Sequence, residues 1–128
     1  MTLSVAARVK RFHQNVTNFP GRRSSFLTSI RGGELTSDSG LTFAGLERLS
    51  DIEACELLCV PGGFGLTAAL ADRHFMTQVR RLGHTARYVT SVCSGSLILA
   101  AAGLIQGKRA ACHWAWQALL AARAELEG

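Results

Sequence analysis

The sequence predicts one α/β domain, because apolar strand-like runs alternate along the chain with segments of helical patterning. Residues 56–60 form an apolar run that stops at a Pro-Gly-Gly turn, as a buried strand does. Residues 72–83 have helical spacing of apolar side chains, and residues 88–92 are a second strand, rich in β-branched and aromatic side chains. That strand passes directly into residues 94–102, which are small and apolar enough to pack as a helix. With 128 residues, 48% of them hydrophobic, the chain can bury one core.

Shorter elements are predicted on both sides of this series. Before it, the patterning predicts amphipathic turns within residues 5–12, a strand at 25–30, hairpin arms at 34–37 and 41–43, and a helical turn at 46–52. After it, the patterning predicts a short strand at 108–112 and a helix that opens at His113-Trp114 and ends near residue 127. We therefore divide the chain into a basic leader, residues 1–24, whose structure the sequence does not determine, and a domain at residues 25–128.

The helix predicted within residues 72–83 has a distinct inner face. Asp72 is placed to cap its first turn, and Gly83 is placed to end it. The side chains expected to face the core are Phe75, Met76, Val79 and Leu82. The side chains expected to face water are Arg73, His74, Arg80 and Arg81, with His84 in the following loop.

The charge distribution disfavours a nucleic-acid partner. The formal net charge is +5 at pH 7, but the first 33 residues hold six Arg or Lys and no Asp or Glu. The remaining residues hold eight basic and nine acidic side chains, so the folded part is close to neutral. A nucleic-acid-binding surface needs basic residues clustered on a folded face, and we expect none here.

Cysteine usage and hydropathy predict a reduced, cytoplasmic protein without a membrane span. The four cysteines lie outside any Cys-x-x-Cys pattern, and we recognise no secretory signal sequence. No apolar run reaches 18 residues. Because His and Cys lack ligand spacing and no phosphate-binding loop is present, we expect neither a metal nor another cofactor.

Cys93 stands where the second predicted strand becomes a helix. A side chain at such a junction is lifted out of the sheet and placed over the helix N-terminus, where unpaired amides and the dipole favour an anion. The thiolate is the reactive form of cysteine, so the position predicts a nucleophile on a strand-turn-helix elbow. Gly95 and the small Ser94 and Ser96 allow the turn and the close approach of a ligand. The alternative is a buried, inert thiol, since free cysteine is often buried.

Gly62 and Gly63 follow the other strand. Ligands of open α/β sheets bind beyond the carboxyl ends of the strands. If the two strands are neighbours, the glycine amides would face the sulfur and stabilise negative charge on a substrate that the thiolate has attacked. A simple turn is the equally supported alternative. His113 can act as a base or imidazolium partner of Cys93, although a hydrogen-bonded structural histidine is the more frequent outcome.

Three runs, residues 58–65, 86–97 and 101–110, followed by His113-Trp114, share the order and spacing of a known family. They resemble the PfpI-like family of the class I glutamine amidotransferase-like superfamily, and the nearest subgroup is the isocyanide (isonitrile) hydratases. Residues 34–43 fit the early hairpin of the family, and the match covers about residues 26–117. The resemblance implies a flavodoxin-like three-layer α/β/α sandwich with a mostly parallel sheet, usually dimeric.

The resemblance also implies roles for individual residues. Cys93 and Ser94 are the implied catalytic residues, Cys93 as the nucleophile and Ser94 as the polar neighbour of the thiolate. Gly62 and Gly63 are the implied backbone lining of the pocket, and His113 is a secondary candidate.

In the hydratases the thiolate attacks the terminal carbon of an isocyanide, water resolves the adduct, and an N-substituted formamide leaves. The implied partners are a small-molecule substrate and a second copy of the chain. Peptidase activity is disfavoured, because the proposed peptidases of the family carry His where this chain has Ser94.

Two departures from the family pattern affect these expectations. The family begins with a strand followed by an Asp or Glu that hydrogen-bonds the cysteine and takes part in proton transfer, whereas residues 1–23 contain no acidic residue. The family also continues past the position of Gly128 with segments that complete the sheet and pocket. We therefore expect a domain that is incomplete at both ends, lacks a central strand, and has reduced stability or depends on a partner. We also expect feeble or absent hydratase activity.

Two other functions are compatible with the sequence. Similar domains form the N-terminal part of AraC-type transcription regulators, which makes a ligand-sensing module one alternative. We recognise no helix-turn-helix motif in the 128 residues, so we do not expect this chain to bind DNA. The other alternative is a redox-responsive or carbonyl-responsive protein that uses Cys93 as its reactive thiol.

Overall fold

The structure, a computed structural model, describes residues 5–9, 24–37, 40–63, 65–110 and 114–126. Within these ranges the strands are β1 (Val5–Val9), β2 (Ser24–Ser29), β3 (Gly33–Thr36), β4 (Thr42–Arg48), β5 (Leu57–Val60) and β6 (Tyr88–Ser91). The α-helices are α1 (Leu66–Ala71), α2 (Arg73–Thr85), α3 (Gly95–Ala101) and α4 (Gln117–Leu126), with short 3-10 helices at Leu49–Asp51 and Trp114–Trp116. None of these helices is both long and apolar enough to cross a bilayer.

The strands form one sheet in the order β3-β4-β2-β1-β5-β6. β2 pairs in parallel with β4, and β5 pairs in parallel with β6. β1 is antiparallel to both of its neighbours, β2 and β5, and β3 is antiparallel to β4. Four of the six strands therefore run in one direction. The predicted flavodoxin-like α/β class is confirmed, but the sheet is mixed, with two parallel and three antiparallel pairings among the described strands.

The register of β5 against β6 brings the two predicted site segments to the same edge. Leu57 lies opposite Tyr88, and Val60 lies opposite Ser91, so the two strands end level with each other. The pairing continues one step further, because the Val92 amide donates to the Val60 carbonyl at 3.1 Å. The turn after β5 and the turn after β6 consequently emerge side by side at the carboxyl edge, where open α/β sheets bind ligands.

The core lies on one face of β5 and β6. Leu58 and Val60 are fully buried there, and Val89 packs against them. All four α-helices add side chains to this core, including Leu66, Ala69, Phe75, Val79, Leu82, Leu97, Ile98 and Leu120. On the opposite face of the same two strands, Leu57 and Cys59 are half-buried and Tyr88 and Thr90 are exposed. Within the described residues, helices therefore cover β5 and β6 on one face, whereas parallel strands are usually buried on both.

Helix α2 follows the predicted pattern except at its end. The Asp72 carboxylate accepts a hydrogen bond from the Phe75 amide at 3.0 Å, which is the predicted cap. The prediction that Gly83 ends the helix and places His84 in a loop is wrong, since the helix continues to Thr85. Gly83 serves close packing instead, because a Cβ at this position would overlap the Leu104 side chain.

Two arginines of α2 that were expected to face water bond to neighbouring backbone. Arg80 Nε donates to the Ala102 carbonyl at 3.2 Å, beyond the end of α3. Arg81 donates to the Leu49 carbonyl at 3.2 Å and to the Glu53 carbonyl at 3.1 Å. Arg81 thereby fixes the segment between β4 and β5 to α2. Its five-donor guanidinium suits this task, because several fixed acceptors can be reached at once.

The structure differs from the sequence predictions in several other elements. Residues 5–9 form strand β1 rather than amphipathic turns, and β1 fills the sheet between β2 and β5, where a central strand was expected to be missing. The helical turn predicted at 46–52 is reduced to Leu49–Asp51, because β4 continues through Arg48. Helix α1 was not predicted. Residues 108–110 are not in a strand, and the rest of the strand predicted at 108–112 lies outside the described residues. The hairpin of β3 and β4 is confirmed.

Replacing Arg81 with Lys tests the attachment of this segment. Lysine keeps the charge but cannot reach both carbonyls with the same geometry, so we expect a loss of about 1–2 kcal/mol in the free energy of unfolding. Urea denaturation would measure it. The matched control is Arg73→Lys on the exposed start of α2, with an expected change within about 0.5 kcal/mol. Equal stability of the Arg81→Lys variant and the wild type would contradict the assignment.

Candidate active site

Cys93 lies in the turn between β6 and α3, with an exposed side chain. Its φ is +55°, in the left-handed region. Among the described residues, Cys93 is the only residue other than glycine that has a positive φ. Such a conformation costs about 1–3 kcal/mol for a non-glycine residue and is concentrated at functional sites. The exposure excludes the alternative in which this cysteine is buried. The backbone matches the strand-turn-helix elbow predicted from the sequence.

Backbone hydrogen bonds hold the elbow in place. The Gly95 amide donates to the Val92 carbonyl at 3.0 Å, and this bond closes the turn around Cys93. The Leu97 amide donates to the Ser94 carbonyl at 3.0 Å, which begins α3. Gly95 itself packs on the end of β5, where a Cβ would overlap the Val60 carbonyl oxygen. Only glycine fits between the helix and the strand, so Gly95 sets how closely the elbow approaches β5.

The turn after β5 packs against this elbow, backbone to backbone. The Gly63 amide donates to Ser94 Oγ at 3.2 Å. A Cβ at Gly62 would overlap Ser94 Oγ and lie 2.6 Å from the Ser94 amide nitrogen. These contacts bring the glycine turn, Gly62 and Gly63, next to Cys93 and Ser94. This arrangement is the one predicted for the case in which the two strands are neighbours. The Gly63 amide is directed at Ser94, so this hydrogen bond competes with the predicted donation to a substrate.

His113 is the remaining candidate from the sequence. His113 lies outside the described residues, and the Trp114 side chain next to it is 78% exposed. In the part of the chain that the structure describes, His, Cys, Asp and Glu form no group of three or more that could hold a metal ion. The elbow residues are recognisable from the local sequence, whereas the contact of Gly95 with Val60 joins residues 35 positions apart and has no local signal.

A second thiol, Cys55, provides a contrast to Cys93. Cys55 is buried, its Sγ donates to the Leu82 carbonyl at 3.8 Å, and its amide donates to Thr85 Oγ1 at 3.2 Å. Burial raises the pKa of the Cys55 thiol, and the Thr85 hydrogen bond and the Arg81 charge offset part of that rise. A buried thiol with a raised pKa is inert under ordinary conditions. Cys55 is therefore an internal reference for the reactivity of Cys93.

The sequence profile of the DJ-1/PfpI family matches residues 23–127, which include every described element of the site. The chain belongs to the DJ-1/PfpI family. The family assignment agrees with the resemblance drawn from the glycine turn and the cysteine elbow.

Individual proteins are similar to this chain over part of their length. An isonitrile hydratase of Pseudomonas putida is 45% identical over 86 residues, which are 67% of this chain and 38% of the hydratase. The HTH-type transcriptional regulator GlxA of Rhizobium meliloti (strain 1021) is 31% identical over 83 residues, which are 65% of this chain and 26% of the regulator. The crystal structure of a THiJ/PfpI family protein from Pseudomonas syringae superposes with a TM-score of 0.72 at 36% identity, over 77% of this chain and 42% of that chain. The chain thus spans roughly two fifths or less of the length of these three relatives.

Replacing Gly95 with Ala tests the packing of the elbow on β5. The added methyl would meet the Val60 carbonyl, which is backbone and cannot rotate away. We expect a loss of about 1–3 kcal/mol in the free energy of unfolding, the usual cost of overpacking. Chemical denaturation would measure the loss. Unchanged or increased stability would contradict the contact, since the higher helix propensity of alanine would then be the dominant effect.

Alkylation of the native protein by iodoacetamide, followed by peptide mass spectrometry, should modify Cys93 and leave Cys55 intact until the chain unfolds.

The raised pKa of Cys55 also has a consequence for stability. The unfolded chain loses this proton at a lower pH than the folded chain, so the folded state binds more protons above about pH 8.5. The free energy of unfolding should therefore fall with rising pH in that range, and less steeply in Cys55→Ala. Rapid labelling of Cys55 in the native state would contradict the assignment.

Proposed function

We propose that this chain carries the cysteine site of an isocyanide hydratase, which adds water to an isocyanide and releases an N-substituted formamide. The observation that carries the proposal is the exposed Cys93 in a left-handed elbow, packed beside Gly62 and Gly63 at the carboxyl edge of two parallel strands. Similarity to an isonitrile hydratase at 45% identity supports the choice of substrate class.

In the proposed reaction Cys93 is the nucleophile. Its thiolate attacks the terminal carbon of the isocyanide and forms a carbon–sulfur bond, while the same carbon takes a proton from water, giving an N-substituted thioformimidate in which this carbon is doubly bonded to nitrogen. A water molecule or hydroxide then adds to that carbon, and the nitrogen takes a proton. The carbon–sulfur bond breaks, the sulfur leaves as the thiolate, and the N-substituted formamide is released. The sum is one isocyanide and one water, with no oxidation or reduction.

The glycine turn supplies fixed backbone beside Cys93 in this proposal. Attack on the isocyanide builds negative charge on the reacting carbon, and backbone dipoles held in place next to the sulfur stabilise such charge without having to reorganise. The Gly63 amide donates to Ser94 Oγ and is therefore not assigned as a donor to the substrate. The backbone of Gly62 and Gly63 lies against the elbow, within the reach of Ser94. Their close packing keeps the backbone beside Cys93 rigid. His113 is retained as a secondary candidate for proton transfer.

A ligand-sensing role is the second candidate, because one of the similar proteins is a transcriptional regulator. A sensor would bind a small molecule at the same turn without releasing product. Equilibrium binding of an isocyanide or a carbonyl compound with no formamide formed would favour this role over the hydratase. The small-molecule substrate, homodimer formation and cytoplasmic location implied by the resemblance remain predictions, and light scattering of the purified chain would test the dimer.

Replacing Cys93 with Ala should remove the hydratase activity. Because the sulfur forms the covalent intermediate, we expect formamide production from an alkyl isocyanide to fall at least about 1,000-fold. Proton NMR of the formyl group would measure it. The control is Cys59→Ala, which removes a half-buried thiol from the β5 strand and should leave the rate within about twofold. A hydratase rate that survives in Cys93→Ala would rule out the proposed nucleophile.

A further inference from the structure

We infer that Ser94 is a positioning residue, whose hydroxyl holds the Gly62–Gly63 turn against the elbow and does not touch the substrate. The inference rests on the proposed function and changes the role that the sequence suggested for this residue. Cys93 and Ser94 are adjacent, yet the Cys93 side chain is exposed and Ser94 is 3% exposed. The two side chains therefore point to different surroundings, and a ligand above the sulfur faces Cys93 rather than the Ser94 hydroxyl.

The hydrogen bonding of Ser94 is unusual for its position. Ser94 is the N-cap residue of α3, and serine at an N-cap normally accepts a hydrogen bond from an amide in the first turn of its own helix. Its side chain makes no such cap bond here. The hydroxyl accepts instead from the Gly63 amide at 3.2 Å, across the gap between the ends of β5 and β6. A group that could stabilise the helix is thus used to join two turns.

Steric contact and hydrogen bonding act on the turn together. Gly63 is held by its amide, and Gly62 approaches so closely that a Cβ would overlap Ser94 Oγ. The bond prevents the turn from moving away, and the contact prevents it from moving closer. Ser94 therefore sets the distance between the glycine backbone and the elbow that carries Cys93. Catalytic groups held in the wrong place by about 1 Å lose roughly 100-fold in rate.

Three variants test the inference. Ser94→Ala removes the acceptor, Ser94→Thr keeps a hydroxyl at the same position, and Thr77→Ala removes a hydroxyl bonded to the Arg73 carbonyl on the exposed side of α2. The first readout is amide hydrogen exchange at Gly63, followed by NMR. The second is kcat and KM for formamide production from an alkyl isocyanide. Circular dichroism establishes that each variant is folded.

We expect Ser94→Ala to raise the exchange rate of Gly63 at least about tenfold and to lower kcat about 10- to 100-fold with KM nearly unchanged. Ser94→Thr should restore both values, and Thr77→Ala should change neither. Unchanged Gly63 exchange in Ser94→Ala would overturn the inference, and so would unchanged kcat or a folded Ser94→Thr that restores exchange but not kcat. If the wild type forms no formamide, the proposed function is wrong, and Ser94 then has no role in turnover. The exchange rates of Gly63 decide separately whether Ser94 holds the glycine turn.

Discussion

The parallel pairing of β5 with β6 is the constraint on which the site depends. Because the two strands end level with each other, the glycine turn and the cysteine elbow leave the sheet together. Gly95 then lets α3 start directly on the Val60 carbonyl, so that the helix, both turns and both strands form one backbone-packed unit. The left-handed conformation of Cys93 is maintained by this unit, since an isolated turn would relax to an ordinary conformation.

The sequence predicts well the parts of this unit that depend on local signals. The change from β-branched to small residues around Cys93 and the Pro-Gly-Gly stop after Val60 both report on the chain within a few positions. Contacts between distant segments have no such signal. The sequence predicts a solvated Arg81, because its acceptors are backbone carbonyls 28 and 32 positions away. It predicts a helix end at Gly83, because the packing partner of this residue, Leu104, belongs to a later segment.

The N-terminal strand shows a different limit of sequence patterning. Residues 5–9 carry no clear alternation, yet they occupy the middle of the sheet, antiparallel to both neighbours. The backbone hydrogen bonds between strands do not depend on side-chain identity. The bonds that β2 and β5 offer to a strand between them can therefore stabilise a segment whose own β propensity is weak. The second face of β5 and β6, with Tyr88 exposed and Cys59 half-buried, leaves this sheet less enclosed than parallel sheets usually are.

The contact between Gly83 and Leu104 has a consequence for how the sequence can diversify. The backbone of α2 comes so near to the segment after α3 that the leucine side chain fills the space a methyl group would need. A larger residue at position 83 requires the Leu104 side chain to turn aside or to be replaced by a smaller one. Natural variation at one of these two sites should therefore be accompanied by adjustment at the other, and glycine at position 83 leaves room for a bulky residue at position 104.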